Sequence, residues 1–340
     1  MGLGGTVSRI WKRYSVGMPL AEKKLIDRIR RSVGHSMPGS SRGGKSVVTG
    51  IGDDCAVLRI PPGHELLVTT DFTIENVHFR REWHAPELVG WRCLARGLSD
   101  IAAMGGEPRA AFLSLAVDCE VPQKWVDGFL RGLLALGGGF DVPLAGGDTA
   151  QSVGGIQADI VVVGSVPRGK AVLRSGAKPG DSIYVTGKLG GAAAVLGRLM
   201  ESKPAGALLR RFRPQPRIAA GQWLRERGMA SAMIDLSDGL STDLDHICKE
   251  SGVGAEIEAA AIPRAQLTAG EGPVTLDMAL HGGEDYELLF TSARAVPAKV
   301  AGVPVTRVGR ITKSHSMRII GTDGRAGTLK AGGWEHFKPA

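Results

Sequence analysis

Cysteine is scarce in this 340-residue chain, and the four present, Cys55, Cys93, Cys119 and Cys248, show no paired spacing. That argues against a Cys-x-x-Cys zinc site or a disulfide framework and fits a reducing cytoplasm. Long apolar runs are missing as well. Stretches such as Ile160-Val161-Val162-Val163 are far too short to span a bilayer. The basic N-terminal region is followed by no apolar core, so no secretory signal is expected. The start Met1-Gly2-Leu3-Gly4-Gly5-Thr6 fits an N-acylation pattern, but one loose enough to occur often by chance. No internal repeat and no catalytic triad stand out.

Apolar residues make up 43% and charged residues 22%, ordinary values for a soluble globular protein with room for two domains. The net charge of +8 is unevenly placed: residues 1–45 hold ten Lys/Arg and two Asp/Glu, which accounts for all of it. The body of the chain is neutral, so a nucleic-acid-binding surface is not expected there. Residues 1–19 read as a basic, solvated extension ahead of the first amphipathic helix, which starts near Leu20.

What the chain does have is aspartate, mostly beside glycine. Six short motifs recur: Gly52-Asp53-Asp54, Thr69-Thr70-Asp71, Leu98-Ser99-Asp100, Gly146-Gly147-Asp148-Thr149, Asp235-Leu236-Ser237-Asp238-Gly239 and Gly282-Gly283-Glu284-Asp285. Carboxylates repel one another, so a fold that gathers several needs positive charge between them. Hard oxygen donors without histidine or cysteine suit magnesium. Glycine beside a carboxylate permits tight turns and brings N–H groups close to an anion. The combination points to a magnesium–nucleotide site drawn from the whole chain. Taken singly, each motif has a plainer role: Asp after Gly forms turns, Asp100 four residues after Arg96 can be an exposed ion pair, and Ser237 or Asp238 can simply cap a helix.

Periodicity predicts a helix over 20–33, strands over 47–51, 56–60 and 65–70, and a helix opened by Pro86. A strand over 110–117, a helix over 123–136 and strands over 142–145 and 156–166 complete a first half. Residues 171–180 read as a linker. The second half mixes strands over 181–186, 232–236, 286–291 and near 305–320 with helices over 216–227 and 240–251. Leu240, Leu244 and Ile247 form the buried face of the latter helix. Without a clean βαβ period, a two-domain α/β or α+β fold is expected, with domains over 20–168 and 169–340.

Gly39-Ser40-Ser41-Arg42-Gly43-Gly44-Lys45-Ser46 matches the P-loop pattern in full. That pattern works between a preceding strand and a following helix, whose N-terminus binds phosphate. Here a helix precedes it and the β-rich Val47-Val48 follows, so it is read as a flexible loop.

Together the motifs resemble the thiamine-monophosphate kinase family, in the superfamily that includes aminoimidazole-ribotide synthetase. The specific strings are Gly50 through Leu58, Leu98 through Gly105, Arg174-Ser175-Gly176-Ala177-Lys178-Pro179-Gly180-Asp181, Ile234 through Leu240 and Gly282 through Leu288. The similarity runs from about Leu20 to the C-terminus; residues 1–19 and the enlarged 34–46 loop depart from the pattern.

The resemblance implies an N-terminal domain that dimerises through its sheet, a C-terminal α/β domain, and ATP with several Mg²⁺ ions in a cleft. It implies metal-shell roles for Asp54, Thr69, Thr70, Asp71, Asp100, Asp148, Asp235 and Asp238. Nucleotide contacts fall to Gly147, Asp148, Arg174 and Ser237, and contacts to thiamine monophosphate to His78, Glu284 and Trp334. Asp71, Asp148, Asp238 and Arg174 are the catalytic candidates. The expected enzyme is a cytoplasmic homodimeric kinase with a phosphate acceptor, and no membrane or nucleic-acid partner. Alternatives are another ATP-dependent synthetase of the superfamily, or an idle nucleotide-binding regulator. A selenophosphate synthetase is expected to carry a reactive Cys near its start, and a hydrogenase-maturation relative to end in cysteine; this chain ends Phe337-Lys338-Pro339-Ala340. Turnover of thiamine monophosphate separates an enzyme from a regulator.

Overall fold

Strand β3 (His64–Ile74) shows how local pattern becomes structure. Its side chains alternate between Leu67 and Thr73, which are buried, and Leu66, Val68 and Phe72, which are exposed. The computed structural model describes residues 20–36, 46–52, 54–201, 212–267 and 273–337. The described residues fall into two units, the first drawn from 1–59, 70–94 and 109–163, the second from 60–69, 95–108 and 164–340. The P-loop-like segment, apart from Ser46, lies outside the described residues, as do Asp53 and residues 1–19.

Four strands, β3, β4 (Glu107–Val117), β5 (Leu144–Gln151) and β6 (Ile156–Pro167), form a sheet in the order β3-β6-β4-β5, with β4 and β5 parallel. A short hairpin of β1 (Val47–Thr49) and β2 (Val57–Leu58) packs Val47 and Leu58 with Ala110 and Ala145. Helix α1 (Glu22–Ser36) precedes it. Helices α2 (Pro86–Ala103) and α3 (Gln123–Gly139) cross at glycines: a Cβ on Gly90 would lie 1.8 Å from the Phe129 carbonyl oxygen, and one on Gly132 1.9 Å from that of Glu87. Close backbone approach, not flexibility, is the reason for those glycines. Trp125 stacks with Phe79 on one side and Phe129 on the other.

The second unit holds a larger, mixed sheet. It runs β14 (Ala326–Thr328), β13 (Met317–Ile320), β9 (Gly254–Glu258), β12 (Val303–Thr312), β7 (Ser182–Thr186), β10 (Leu288–Ser292) and β8 (Ala232–Asp235), with β11 (Lys299–Val300) paired to β12. Helices α4 (Gly191–Met200), α5 (Ile218–Glu226), α6 (Leu240–Ser251) and α7 (Leu276–His281) accompany it. Leu240, Leu244 and Ile247 are at most 1% exposed, so the face expected for α6 is the buried one.

Four differences from the sequence reading bear on the site. Strand β3 continues to Ile74, so Asp71 lies inside the strand and does not end it. Strand β5 takes in Gly146-Gly147-Asp148-Thr149, which pairs with β4 and does not follow the strand. Strand β10 starts at Leu288 because Glu284 and Tyr286 have φ of 61° and 50°, a left-handed conformation incompatible with a strand. The expected linker contains a 3-10 turn, Arg174–Gly176, packed so closely that a Cβ on Gly176 would lie 1.8 Å from the Ser231 carbonyl oxygen. Among the described residues no helix is long and apolar enough to cross a membrane.

Candidate active site

Strand β8 carries Asp235 at its C-terminal end, buried, and Leu236-Ser237-Asp238-Gly239 turns the chain into α6. Gly239 has φ of 110°, which permits that turn at no steric cost. One turn into α6, the Asp243 carboxylate accepts hydrogen bonds from the backbone N–H groups of Asp238 at 3.2 Å and Gly239 at 3.1 Å. It satisfies donors that a helix start otherwise leaves open. Burial, followed by the nearby Asp235 and Asp238, pushes the Asp243 carboxyl up to about 8. Ligand atoms of Asp238, Asp243 and His246 lie within 4.8 Å of one another. The Asp238 and Asp243 carboxylates, which resist each other's ionisation, offer hard oxygen donors that fit a divalent cation such as magnesium.

The Gly282-Gly283-Glu284-Asp285 segment is sewn to this turn by its main chain. Glu284 N–H donates to the Ser237 carbonyl at 2.8 Å, and Tyr286 N–H to that of Leu236 at 2.9 Å. The Glu284 carboxylate pairs with the Arg96 guanidinium of α2 at 2.6 Å and accepts from the Tyr286 hydroxyl at 3.3 Å. Asp285 accepts from the Gly190 N–H at 2.8 Å, at the start of α4; burial pushes its carboxyl up to about 7.

Residues 332–334 run along the same helix start. Gly332 N–H donates to Ser241 Oγ at 3.2 Å, Gly333 N–H to Thr242 Oγ1 at 3.0 Å, and Trp334 N–H to the Asp238 carbonyl at 3.2 Å. Ser241 Oγ also bonds His281 Nδ1 at 2.7 Å, which gives His281, unassigned from sequence, a structural place. Trp334 is 55% exposed although its backbone N–H is bonded. Asp235, Ser237, Asp238, Glu284 and Trp334 are thus brought together within one unit.

Other candidates stand elsewhere. Thr69 Oγ1 donates to Asp100 Oδ2 on α2. Thr70, one residue on, faces the other side of β3 and donates to Asp159 Oδ1 on β6 at 2.6 Å, so period-2 alternation separates its side chain from those of Thr69 and Asp71. Asp54 is exposed between β1 and β2, and Asp148 is exposed on β5. Gly147 has φ of 145°, and a Cβ there would lie 1.9 Å from the Leu113 carbonyl oxygen, so β4 itself requires this glycine. His78 Nδ1 accepts from Ile74 N–H at 3.0 Å, which places the proton of a neutral ring on Nε2. Arg174 is exposed; its carbonyl accepts from Ser251 at the last turn of α6, the opposite end of that helix from Asp238.

Sequence reasoning missed Asp243, His246 and Arg96 as parts of the site. Asp243 carries a legible signal, an acid one turn inside a helix that starts at Gly239. Arg96 carries none, since its partner lies 188 residues away.

Residues 52–166 match the family model of the AIR synthase related protein, N-terminal domain, and residues 178–322 that of the C-terminal domain. The thiamine-monophosphate kinase of Salmonella typhimurium is 42% identical over 307 residues, covering 86% of this chain and 92% of that protein. That of Bacillus subtilis is 35% identical over 312 residues, covering 86% and 94%. The crystal structure of thiamine-monophosphate kinase from Stenotrophomonas maltophilia superposes with a TM-score of 0.76 at 36% identity, covering 91% of this chain and 98% of that one. AaThiL complexed with AMPPCP and TMP gives 0.71 at 32% identity, covering 95% and 100%. The hydrogenase maturation protein HypE shares the fold at a TM-score of 0.71 and 16% identity, covering 88% and 97%. The chain therefore belongs to the thiamine-monophosphate kinase family, whose two domains are those of AIR synthase related proteins.

Proposed function

We propose that this protein transfers the γ-phosphoryl group of ATP to the phosphate of thiamine monophosphate, giving thiamine diphosphate and ADP. The observation that carries this reading is the main-chain join between Ser237 and Glu284, which sets a carboxylate-rich helix start beside a residue suited to the thiamine moiety. The names of the relatives and the AMPPCP and TMP complex of AaThiL support it.

A phosphate oxygen of thiamine monophosphate is already ionised, so no residue need remove a proton. That oxygen bonds the γ-phosphorus as the bond to the β,γ-bridging oxygen breaks, and the electron pair leaves with ADP. The obstacle is electrostatic: one pair of like charges at 4 Å costs ~4 kcal/mol at an effective dielectric near 20. Asp54, Thr69, Asp71, Asp100, Asp148, Asp235 and Asp238 are the residues proposed to hold Mg²⁺, with Thr70, whose hydroxyl is given to Asp159, contributing its main-chain carbonyl. When bound, Mg²⁺ offsets phosphate charge. Gly147, Asp148, Arg174 and Ser237 hold the nucleotide, and the Arg174 guanidinium adds positive charge. His78, with its proton on Nε2, donates to the thiamine phosphate; Glu284 and the exposed Trp334 face take the thiamine rings. Asp71, Asp148, Asp238 and Arg174 fix the groups in line.

The same proposal includes a cytoplasmic homodimer and a domain boundary near residue 168. Edge strand β3 exposes Leu66 at 55%, Val68 at 66% and Phe72 at 56% on one face, an apolar stripe suited to pairing with a second copy.

The test is conversion of thiamine monophosphate by purified protein with ATP and Mg²⁺. Equal amounts of ADP and thiamine diphosphate are expected, with no label from [γ-³²P]ATP left covalently on the protein. Absence of both products dismisses the activity; a labelled phosphoprotein intermediate dismisses direct transfer.

A further inference from the structure

Just past the end of β3 the chain makes a tight turn over residues 74–79, and His78 folds back onto it. The His78 N–H donates to the Ile74 carbonyl at 2.9 Å, and His78 Nδ1 accepts the Ile74 N–H at 3.0 Å. Main chain and ring thus close together on both polar groups of one residue. The turn also needs Asn76 at a left-handed φ of 66°, with its N–H bonded to the Phe79 carbonyl at 2.8 Å. Asparagine tolerates that conformation better than most residues, but the neighbours must hold it there.

Glu75 does much of the holding. Its N–H donates to the Ile156 carbonyl at 2.9 Å and its Oε2 accepts the Ile156 N–H at 3.0 Å. One residue therefore meets both main-chain groups at the start of β6. Its Oε1 accepts from Arg81 Nε, beyond the far end of the turn. The Glu75 side chain is 6% exposed and that of Arg81 36%. A Cβ on Gly155, whose φ is 65°, would lie 3.1 Å from Glu75 Oε2, so a glycine lets the β5–β6 turn close over the carboxylate. On the other side of His78, the buried Phe79 ring stacks on Trp125 at 6.0 Å between centroids. His78 lies between two anchors, one ionic and one aromatic.

A carboxylate taken out of water is a poor source of stability, because an apolar side chain of similar size loses less on burial. What it supplies is direction, since each oxygen meets a donor at a fixed place. Over residues 74–81 one group is assigned to substrate, and that group is His78. We propose that Glu75 is a positioning residue for His78. Its bonds to Ile156 and Arg81 hold the turn that sets the imidazole in one orientation for the phosphate of thiamine monophosphate. The proposal rests on the assignment of His78 to that phosphate made above.

The experiment uses the full-length protein with ATP, Mg²⁺ and thiamine monophosphate, each substrate varied in turn. Glu75→Gln keeps the size but turns an amino group toward one of the two donors. It should raise KM for thiamine monophosphate about tenfold, the lower end for a lost hydrogen bond to a charged group, and leave KM for ATP within twofold. His78→Asn can place an oxygen where Nδ1 stands and has nothing in place of Nε2; it should raise the same KM at least tenfold. If Glu75 acts through His78, the double variant Glu75→Gln/His78→Asn matches His78→Asn alone within twofold. Independent effects would instead multiply to about a hundredfold. Should Glu75→Gln not fold, Arg81→Met reads the same split from the more exposed partner, and Arg81→Lys should restore KM to within threefold of wild type.

An unchanged KM for thiamine monophosphate in folded Glu75→Gln or Arg81→Met overturns the proposal. So does an equal rise in both KM values, or a double variant whose losses multiply. Each of these leaves His78 as a substrate contact. An unchanged KM in His78→Asn, or no turnover of thiamine monophosphate by the wild type, removes that assignment and the proposal with it.

Discussion

The backbone N–H of Trp334 donates to the carbonyl oxygen of Asp238 at 3.2 Å, tying the exposed indole to the acidic helix start. A Cβ on the preceding residue, Gly333, would lie 1.9 Å from that same oxygen. Gly333→Ala must therefore displace residues 332–334. KM for thiamine monophosphate is expected to rise at least tenfold, with KM for ATP nearly unchanged. Thr242→Val, which removes the acceptor of the Gly333 N–H, should act in the same direction and Thr242→Ser should not. Steady-state kinetics with each substrate varied in turn checks the split.

Asp71 sits inside β3, whose backbone is held by pairing with β6. Asp71→Asn is expected to remain folded, with a melting temperature within a few degrees of wild type, and to lose at least ~10²-fold in kcat, the size of one lost electrostatic contact in a transition state. Wild-type-like turnover would take Asp71 out of the metal shell.

Magnesium should stabilise the folded protein through the acidic helix start. Binding at a hundred times the dissociation constant contributes ~2.7 kcal/mol, read as a rise in melting temperature. Asp238→Asn should diminish that rise, and chelation should abolish it in the wild type. A Mg²⁺-induced shift as large in Asp238→Asn as in the wild type would count against Asp238 as a ligand.

His84 is buried in the first unit, and burial, with the charge of Arg92, holds its pKa down at about 4 from 6.5. Between those values the unfolded chain binds the proton and the folded protein does not. Stability is therefore fully present above pH 6.5 and falls as pH drops toward 4, by up to ~3 kcal/mol from this residue. Urea unfolding at pH 7 and pH 4.5 should show the loss, and His84→Asn should flatten it. An equally steep acid limb in the variant would assign the loss to other groups.

The α2–α3 crossing has no room at Gly132. Gly132→Ala forces a Cβ to 1.9 Å from the Glu87 carbonyl oxygen, and the helices must separate. A loss of ~3 kcal/mol or more is expected, at the upper end for overpacking. Calorimetry checks it; a stable variant would mean that the crossing adapts.

The order of elements was readable because each is set by neighbours in sequence. The period of α6 placed Leu240, Leu244 and Ile247 inward, and they are. Alternation likewise identified β4 and β6. It failed where distant contacts override local preference: Tyr286 has a strand-forming side chain, but its N–H is taken by Leu236 and its φ is left-handed. Helix α4 escaped notice because a run of small residues, Gly191-Ala192-Ala193-Ala194, carries little amphipathic signal.

By itself the sequence determined the family, the inventory of acidic motifs and the kinds of ligand they suit, because residue types at fixed local spacing survive any rearrangement of the whole. Only the tertiary structure decided which of them meet. It joined Glu284 to Ser237 and to Arg96, brought residues 332–334 onto the start of α6, and turned Thr70 away from Thr69 and Asp71. Those pairings depend on hydrogen bonds between residues far apart in the chain. No local pattern encodes such bonds, because their free energy exists only once the intervening chain has folded.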